Sequence, residues 1–374
     1  MQKPSAREGS MVEIKTQGLL PSSTVRRMKE YHPPLGDRSG VRLDFNENTF
    51  ACSPRVLETL RQISRAELTK YPEREPVERL VAEHLGLQPA QVLLTNGVDE
   101  AIHVLCQTYL DAGSELLLPV PTYSMYEVYA SGTEARVVPV QAGKTFAFPL
   151  EGVLNAITPA TKLIAIANPN SPTGQRVKCS DLLAIIEAAP HAAILVDEAY
   201  FHFFGETVMD LVGRIQNVIV ARTFSKAYGL AGLRLGVLAA SEEQMQWMRR
   251  AISPYSVNSL ALACLPPALE DAAYLEWYVG EVLASRAAFE EALGRLGISY
   301  WPSHANFVLT NIGPKHREFV TAMRSHSVLV RDRSSDPGCD GCVRITMGTS
   351  EHTERGLAAL EESLDEIGWK KGDG

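Results

Sequence analysis

The sequence predicts an α/β protein with a mostly parallel central sheet flanked by helices, joined to a smaller α+β domain. Three observations support this. From about residue 90 to 250 one phrase recurs: a short apolar run, a turn, then a stretch with apolar residues at three- and four-residue spacing. The runs are too continuously apolar to leave a wet face, which marks parallel strands covered on both sides. After residue 270 the rhythm changes to one long amphipathic stretch followed by short strands and helices.

The units follow in order. "QVLLTNG" leads into the helical "VDEAIHVLCQTYL", "ELLLP" into "YSMYEVYAS", and "KLIAIANP" into "DLLAIIEAA", while "AAILVDEAY" and "VIVARTFSKAY" supply two further strands. "DAAYLEWYVGEVLASRAAFEEALGRLG" reads as a long helix, and "ANFVLTNI" and "GCVRITMG" as strands of the smaller domain. The expected division is an N-terminal arm at 1–45 that joins the small domain, a large domain at 46–255, and a small domain at 256–374, with the boundary near "SPYSVNS". No solenoid-period repeat or low-complexity tract interrupts this plan.

Composition narrows the function. The 374 residues are 45% hydrophobic and 21% charged, enough for two domains with a sizeable core. A net charge of -8 argues against a general nucleic-acid or anionic-membrane binder, although it leaves room for a local basic pocket. With no membrane-length apolar run and no signal-like block in the charged N-terminal thirty residues, a cytoplasmic protein is expected. Six scattered cysteines suit a reducing compartment, and the C-x-x-C of Cys339 and Cys342 reads as a turn, because a metal site would want a second ligand pair.

The chemistry gathers around "TFSKAYGLAGLRLG", Thr223 to Gly236. Its glycines follow Lys226, so it is no P-loop, and they do not spell a dinucleotide fingerprint. In a parallel sheet the carboxyl ends of strands share one rim. That rim would collect Asn96-Gly97 with Asp99, Tyr123, Asn168, Asp197 with Tyr200, and Ser225 with Lys226. An amine that condenses with a carbonyl must be partly neutral, through desolvation or a nearby cation, and Arg234 is a candidate for the cation. Asp197 closes a buried strand, where a charged partner such as a protonated pyridine nitrogen would justify it. Gly97 and Asp99 stand at a helix mouth suited to phosphate, and Asp99 could equally cap that helix. Amine, carboxylate and phosphate site together describe a place for pyridoxal phosphate.

Three motifs carry a family resemblance. "NPNSPTG", "VDEAYFHF" and "RTFSKAYGLAGLRLG" resemble, in order and spacing, the signature of class I/II aminotransferases of fold type I. "LDFNEN", "KYPERE", "TNGVDEAI", "PTYSMYEVYA", "SHANFVL" and "VRITMGT" extend the similarity over nearly the whole chain, toward the histidinol-phosphate aminotransferases. The resemblance implies Lys226 as the cofactor-bearing lysine, Asp197 on the pyridine nitrogen, and Asn168 and Tyr200 on the phenolic oxygen. It implies Ser225, Arg234 and the amides near Val98, Asp99 and Glu100 around the phosphate, with Tyr123 stacked on the ring. Tyr71 matches a tyrosine that reaches the neighbouring subunit's site, which implies a homodimer. Arg344 resembles the carboxylate-binding arginine and Arg331 a further arginine of the subfamily, and the resemblance implies that Asn168 and Tyr71 also face substrate.

The implied substrates are L-histidinol phosphate and 2-oxoglutarate, with no nucleic acid, membrane or metal involved. Thr49 stands where relatives often have proline after "NEN", and Phe224 and Tyr228 flank the lysine where relatives vary. Related transaminases of phenylalanine or other amino acids, a threonine-phosphate decarboxylase, and a cofactor-sensing regulator with a DNA-binding arm are the competing readings.

Overall fold

The computed structural model describes residues 18–372 apart from 29 and 31–35. Those gaps hold much of the predicted N-terminal arm, so only its later part can be placed.

Thirteen strands occur in the described residues, beginning with β1 (Val41–Arg42). Seven form the large sheet: β2 (Val92–Asn96), β3 (Glu115–Val120), β4 (Arg136–Gln141), β5 (Thr161–Ala167), β6 (Ala193–Asp197), β7 (Val218–Thr223) and β8 (Leu235–Ala239). Their order is β2-β8-β7-β6-β5-β3-β4. β8 alone runs against the others, pairing antiparallel with both β2 and β7. The remaining pairings are parallel; helices Met125–Ser131, Leu150–Ala156 and Cys179–Ala188 lie in the connections β3 to β4, β4 to β5 and β5 to β6, whereas β6 reaches β7 through short 3-10 turns.

Both faces of the sheet are covered, as its apolar strands require. On one face Leu93, Leu116, Leu195 and Ile219 pack against Ile102 and Leu105 of helix Gly97–Tyr109 and against Tyr126 of helix Met125–Ser131. On the other, Ile164, Ile166, Val196 and Val220 pack against Leu182, Ile185 and Ile186 of helix Cys179–Ala188. β6 is buried along its whole length, so its last residue, Asp197, is delivered to the rim out of a water-free layer.

The second body is an antiparallel sheet of β9 (Ser299–Trp301), β10 (Phe307–Asn311), β12 (Arg331–Asp332) and β13 (Cys342–Thr346), in the order β12-β13-β10-β9. β11 (Val328–Leu329) pairs in parallel with β1, which ties residues 41–42 to this body. Helix Ala272–Leu296 spans 25 residues and ends at Gly297 in the left-handed conformation; its Tyr278, Val282, Phe289 and Leu293 share a core with Phe307 and Ile345. The preceding helix, Ser259–Glu270, packs instead with Val56, Val92, Leu94 and Phe224 of the large body.

Cys339 and Cys342 are free thiols in a tight turn, with the Cys342 N–H donating to the Cys339 carbonyl at 2.8 Å. Both are buried beside Phe146 and Leu309. Among the described residues there is no cluster of metal-ligating side chains, and no helix is long and apolar enough to cross a membrane.

Candidate active site

The carboxyl ends of β3, β5, β6 and β7 open on one rim, and β8 adds to it because it is reversed. Thr223 at the end of β7 and Thr95 near the end of β2 both pair with Gly236 near the start of β8. Arg234, the residue before β8, therefore lies beside Gly97 and Ser225. A strand running parallel to β7 here would have sent Arg234 to the opposite edge.

A cradle for an anion results. Helix Gly97–Tyr109 opens at this point, and its first-turn N–H groups, including those of Val98, Asp99 and Glu100, have no partner within the helix. A Cβ on Gly97, whose φ is +76°, would lie 2.6 Å from the Arg234 guanidinium; one on Gly236 would meet the Gly97 and Val98 backbone at 2.6–2.7 Å. Glycine at both positions lets arginine and helix mouth close on the same small volume. Ser225 is buried at its edge. Asp99 does not cap the helix: its carboxylate accepts from Arg234 at 3.0 Å and from the Tyr123 hydroxyl at 2.7 Å. Glu100 takes the capping role, accepting from the Asn96 N–H at 2.6 Å.

Asp197 lies deeper. One oxygen accepts from the Ala199 N–H at 3.0 Å and the other from the Tyr126 hydroxyl at 2.6 Å. Burial pushes its carboxyl up to about 6, because the charged form lacks hydration. Such a group awaits a cationic N–H. Asn168, the residue after β5, is also buried and is fixed by the Val177 backbone, accepting from its N–H at 2.9 Å and donating to its carbonyl at 3.3 Å.

Lys226 is half-buried, and its Nζ donates to the Phe45 carbonyl at 2.9 Å. Its pKa is lowered, chiefly by desolvation; Tyr200 opposes the shift and Arg344 adds to it. The cation acting on this amine is thus Arg344 rather than Arg234, which is held on Asp99. Tyr200 is buried, and its hydroxyl accepts from Asn46 Nδ2 at 2.8 Å.

Arg344, on β13, reaches the site from the smaller body. It donates to Ser171 Oγ at 3.0 Å and to the Asp44 carbonyl at 2.8 Å, and burial lowers its pKa to about 10. Arg331 pairs with Arg344 across β12 and β13, its guanidinium 5.1 Å from the centre of the Phe45 ring. Tyr71 stands apart from this assembly: it is 78% exposed and stacks on Tyr255 with ring centres 4.5 Å apart.

Two participants carried no expected role. Asn46, at φ 55°, gives its amide to Tyr200 and exchanges hydrogen bonds with Thr346, 300 residues away, so although "LDFNEN" contains it, no local pattern gives its role. Tyr126 lies three residues after Tyr123 within a helix whose apolar spacing disguises it as core.

The donor set fits a pyridine ring bearing an aldehyde and a phosphate. It offers a desolvated amine, a buried carboxylate and a glycine-lined anion cradle on one rim. The sequence model of the aminotransferase class I and II family matches residues 38–360. The chain belongs to the class I and II aminotransferases.

Among relatives of this aminotransferase, the histidinol-phosphate aminotransferase of Symbiobacterium thermophilum is 37% identical, over 92% of this chain and 98% of its own. That of a Geobacillus species is 33% identical, over 95% and 99%. The crystal structure of histidinol-phosphate aminotransferase from Sinorhizobium meliloti in complex with pyridoxal-5'-phosphate superposes with a TM-score of 0.84 at 25% identity, covering 92% of this chain and 98% of that one.

Proposed function

We propose that this aminotransferase uses pyridoxal phosphate to exchange an amino group between L-histidinol phosphate and 2-oxoglutarate in histidine biosynthesis, as a cytoplasmic homodimer. The observation that carries the reading is the pairing of desolvated Lys226 with buried Asp197 on one rim, in a chain whose relatives of that name align over nearly their full length.

Bound there, the cofactor supplies an electron sink for the charge that develops at the substrate α-carbon. The chain's residues supply the rest. Asp197 keeps a proton on the ring nitrogen, because a cation beside it relieves the burial of its own charge. Asn168 and Tyr200 flank the ring oxygen, Tyr123 covers the ring face, and the helix mouth at Val98–Glu100 holds the phosphate with Ser225 and Arg234. Lys226, kept partly neutral by desolvation, takes the α-proton as a base and returns it as an acid.

Arg344 and Arg331 receive the substrate's anion, planar guanidinium groups being suited to phosphate or carboxylate. Tyr71 completes the neighbouring subunit's site; its exposure together with that of Tyr255, on which it stacks, supports a covered aromatic face there. The proposed division between the large and small domains stays near residue 255, with 256–374 forming the small domain, whose first helix, Ser259–Glu270, also packs on Val56, Leu94 and Phe224 of the large one.

The test is a half-reaction screen of reconstituted protein, following the cofactor's visible band on addition of candidate amines. Histidinol phosphate should convert it at the highest kcat/KM. A preference for phenylalanine would reassign the substrate, and carbon dioxide release without keto-acid would reassign the reaction.

A further inference from the structure

Tyr126 is wholly buried, yet it carries a hydroxyl, and that hydroxyl has one partner that matters: Asp197 Oδ2 at 2.6 Å. The short helix Met125–Ser131 packs this ring beneath the rim, edge-on to Tyr123 with centroids 6.0 Å apart and planes at 88°. Tyr123 itself is held by Asp99. The turn "PTYSMY" thus sets two phenols at right angles, one at the open face and one behind the buried carboxylate.

We infer that Tyr126 is a positioning residue that holds Asp197 ionised and aimed at the cofactor's ring nitrogen, and so sets the cofactor's affinity and the acid limit of its binding. The inference rests on the reading of Asp197 given above. An isolated carboxylate at this depth would take up a proton and lose its pairing with a ring cation. The groups facing Asp197 divide by sign: Tyr126 and the Ala199 N–H favour the charged form, whereas Asp99 and Glu198 oppose it. Those two carboxylates are themselves engaged, Asp99 by Arg234 and Glu198 by Arg222. Among the described residues the phenol is the only side-chain donor placed on the oxygen left over by the backbone. Its own pKa is raised well above the usual value, so it remains a donor at every working pH.

Pyridoxal phosphate affinity of the full-length apoprotein tests this, measured by absorbance titration from pH 5 to 8 for wild type, Tyr126→Phe, Asp197→Asn and the double variant. Phenylalanine keeps the ring and removes the hydroxyl alone. Loss of a hydrogen bond to a charged group should weaken binding by about tenfold to a hundredfold at pH 7 in Tyr126→Phe. The loss of affinity toward acid should also begin at a higher pH than in wild type. In the Asp197→Asn background the same change should cost less than about twofold, since no charge is left for the phenol to hold. An equal loss in both backgrounds would make Tyr126 merely structural and overturn the inference, as would an unchanged affinity and acid limit in Tyr126→Phe. Wild-type binding at every pH in Asp197→Asn would overturn the underlying assignment of Asp197 as well.

Discussion

The Lys226 amine and the Phe45 carbonyl, 181 positions apart in the chain, lie in hydrogen-bond contact at 2.9 Å. The neighbouring carbonyls are used in the same way: Arg344 donates to that of Asp44 and Asn306 to that of Asn46. Three side chains from three parts of the sequence are hung on one three-residue stretch. The position of the lysine is therefore fixed by the same backbone that fixes Arg344.

Lys226 should be the residue that carries the cofactor. Borohydride reduction of the reconstituted protein should fix a pyridoxyl group to the Lys226 peptide by mass spectrometry, and Lys226→Ala should lose turnover altogether. A label on another lysine would refute the assignment.

The raised pKa of Asp197 has a signed consequence for the cofactor-free protein. A carboxyl at about 6 when folded, against an ordinary value of about 3.9 unfolded, favours folding in acid; that contribution is complete below about pH 4 and disappears as pH rises through 6. Asp197→Asn carries no such charge. The stability difference between variant and wild-type apoprotein, from urea unfolding, should therefore grow in the variant's favour by about 1–3 kcal/mol from pH 4 to pH 7. Saturated with cofactor, the same variant should lose nearly all activity.

Asn46 should matter to both fold and chemistry. Asn46→Gly tolerates the positive φ but strips the amide from Tyr200 and the acceptor from Thr346, and should cost about 1–3 kcal/mol in stability with a fall in kcat. Asn46→Ala adds backbone strain of about 1 kcal/mol and should melt lower still. Equal melting of wild type and both variants would show that the network contributes nothing.

On the substrate side, Arg344→Ala should lose at least about tenfold in kcat/KM for every substrate, as expected when one partner of a buried ionic contact is removed. Arg331→Ala should penalise histidinol phosphate more than phenylalanine, since a dianion depends more on a second guanidinium than a monoanion does. Equal losses on the two substrates would detach Arg331 from phosphate recognition.

Sharing of sites through Tyr71 predicts complementation. Mixing inactive Tyr71→Ala subunits with inactive Lys226→Ala subunits should regenerate activity, because a mixed dimer places both lesions in one site and leaves the other intact. Mixtures that stay inactive while exchanging subunits would confine Tyr71 to its own chain.

What could be foreseen depended on whether a signal was local. The alternation of apolar runs and helical stretches announced the covered sheet, and the polar residue closing each run announced the rim, because strand ends and side-chain period are short-range properties. Asp197 and Lys226 were legible for that reason. β8 was not among the expected strands, because "LGVLAA" follows directly on the lysine motif, and its reversed sense is fixed only by pairing with β2 and β7. The pairing of Asp99 with Arg234, which leaves the capping to Glu100, follows from that reversal. Tyr126 and Asn46 stayed hidden because their partners, Asp197 and Tyr200, lie far along the chain.

The reversed strand also bears on how the chain is made. Among the described residues β2 has β8, at residues 235–239, as its one ladder partner, so in a nascent chain that has emerged only through β7 the strand β2 lacks that partner. The anion cradle, built from the ends of β2 and β7 and the start of β8, is in the same position. The cradle cannot be complete before β8 stands between β2 and β7, so full affinity for the cofactor has to wait until residues 235–239 have been made, and up to that point the edge of β7 is open.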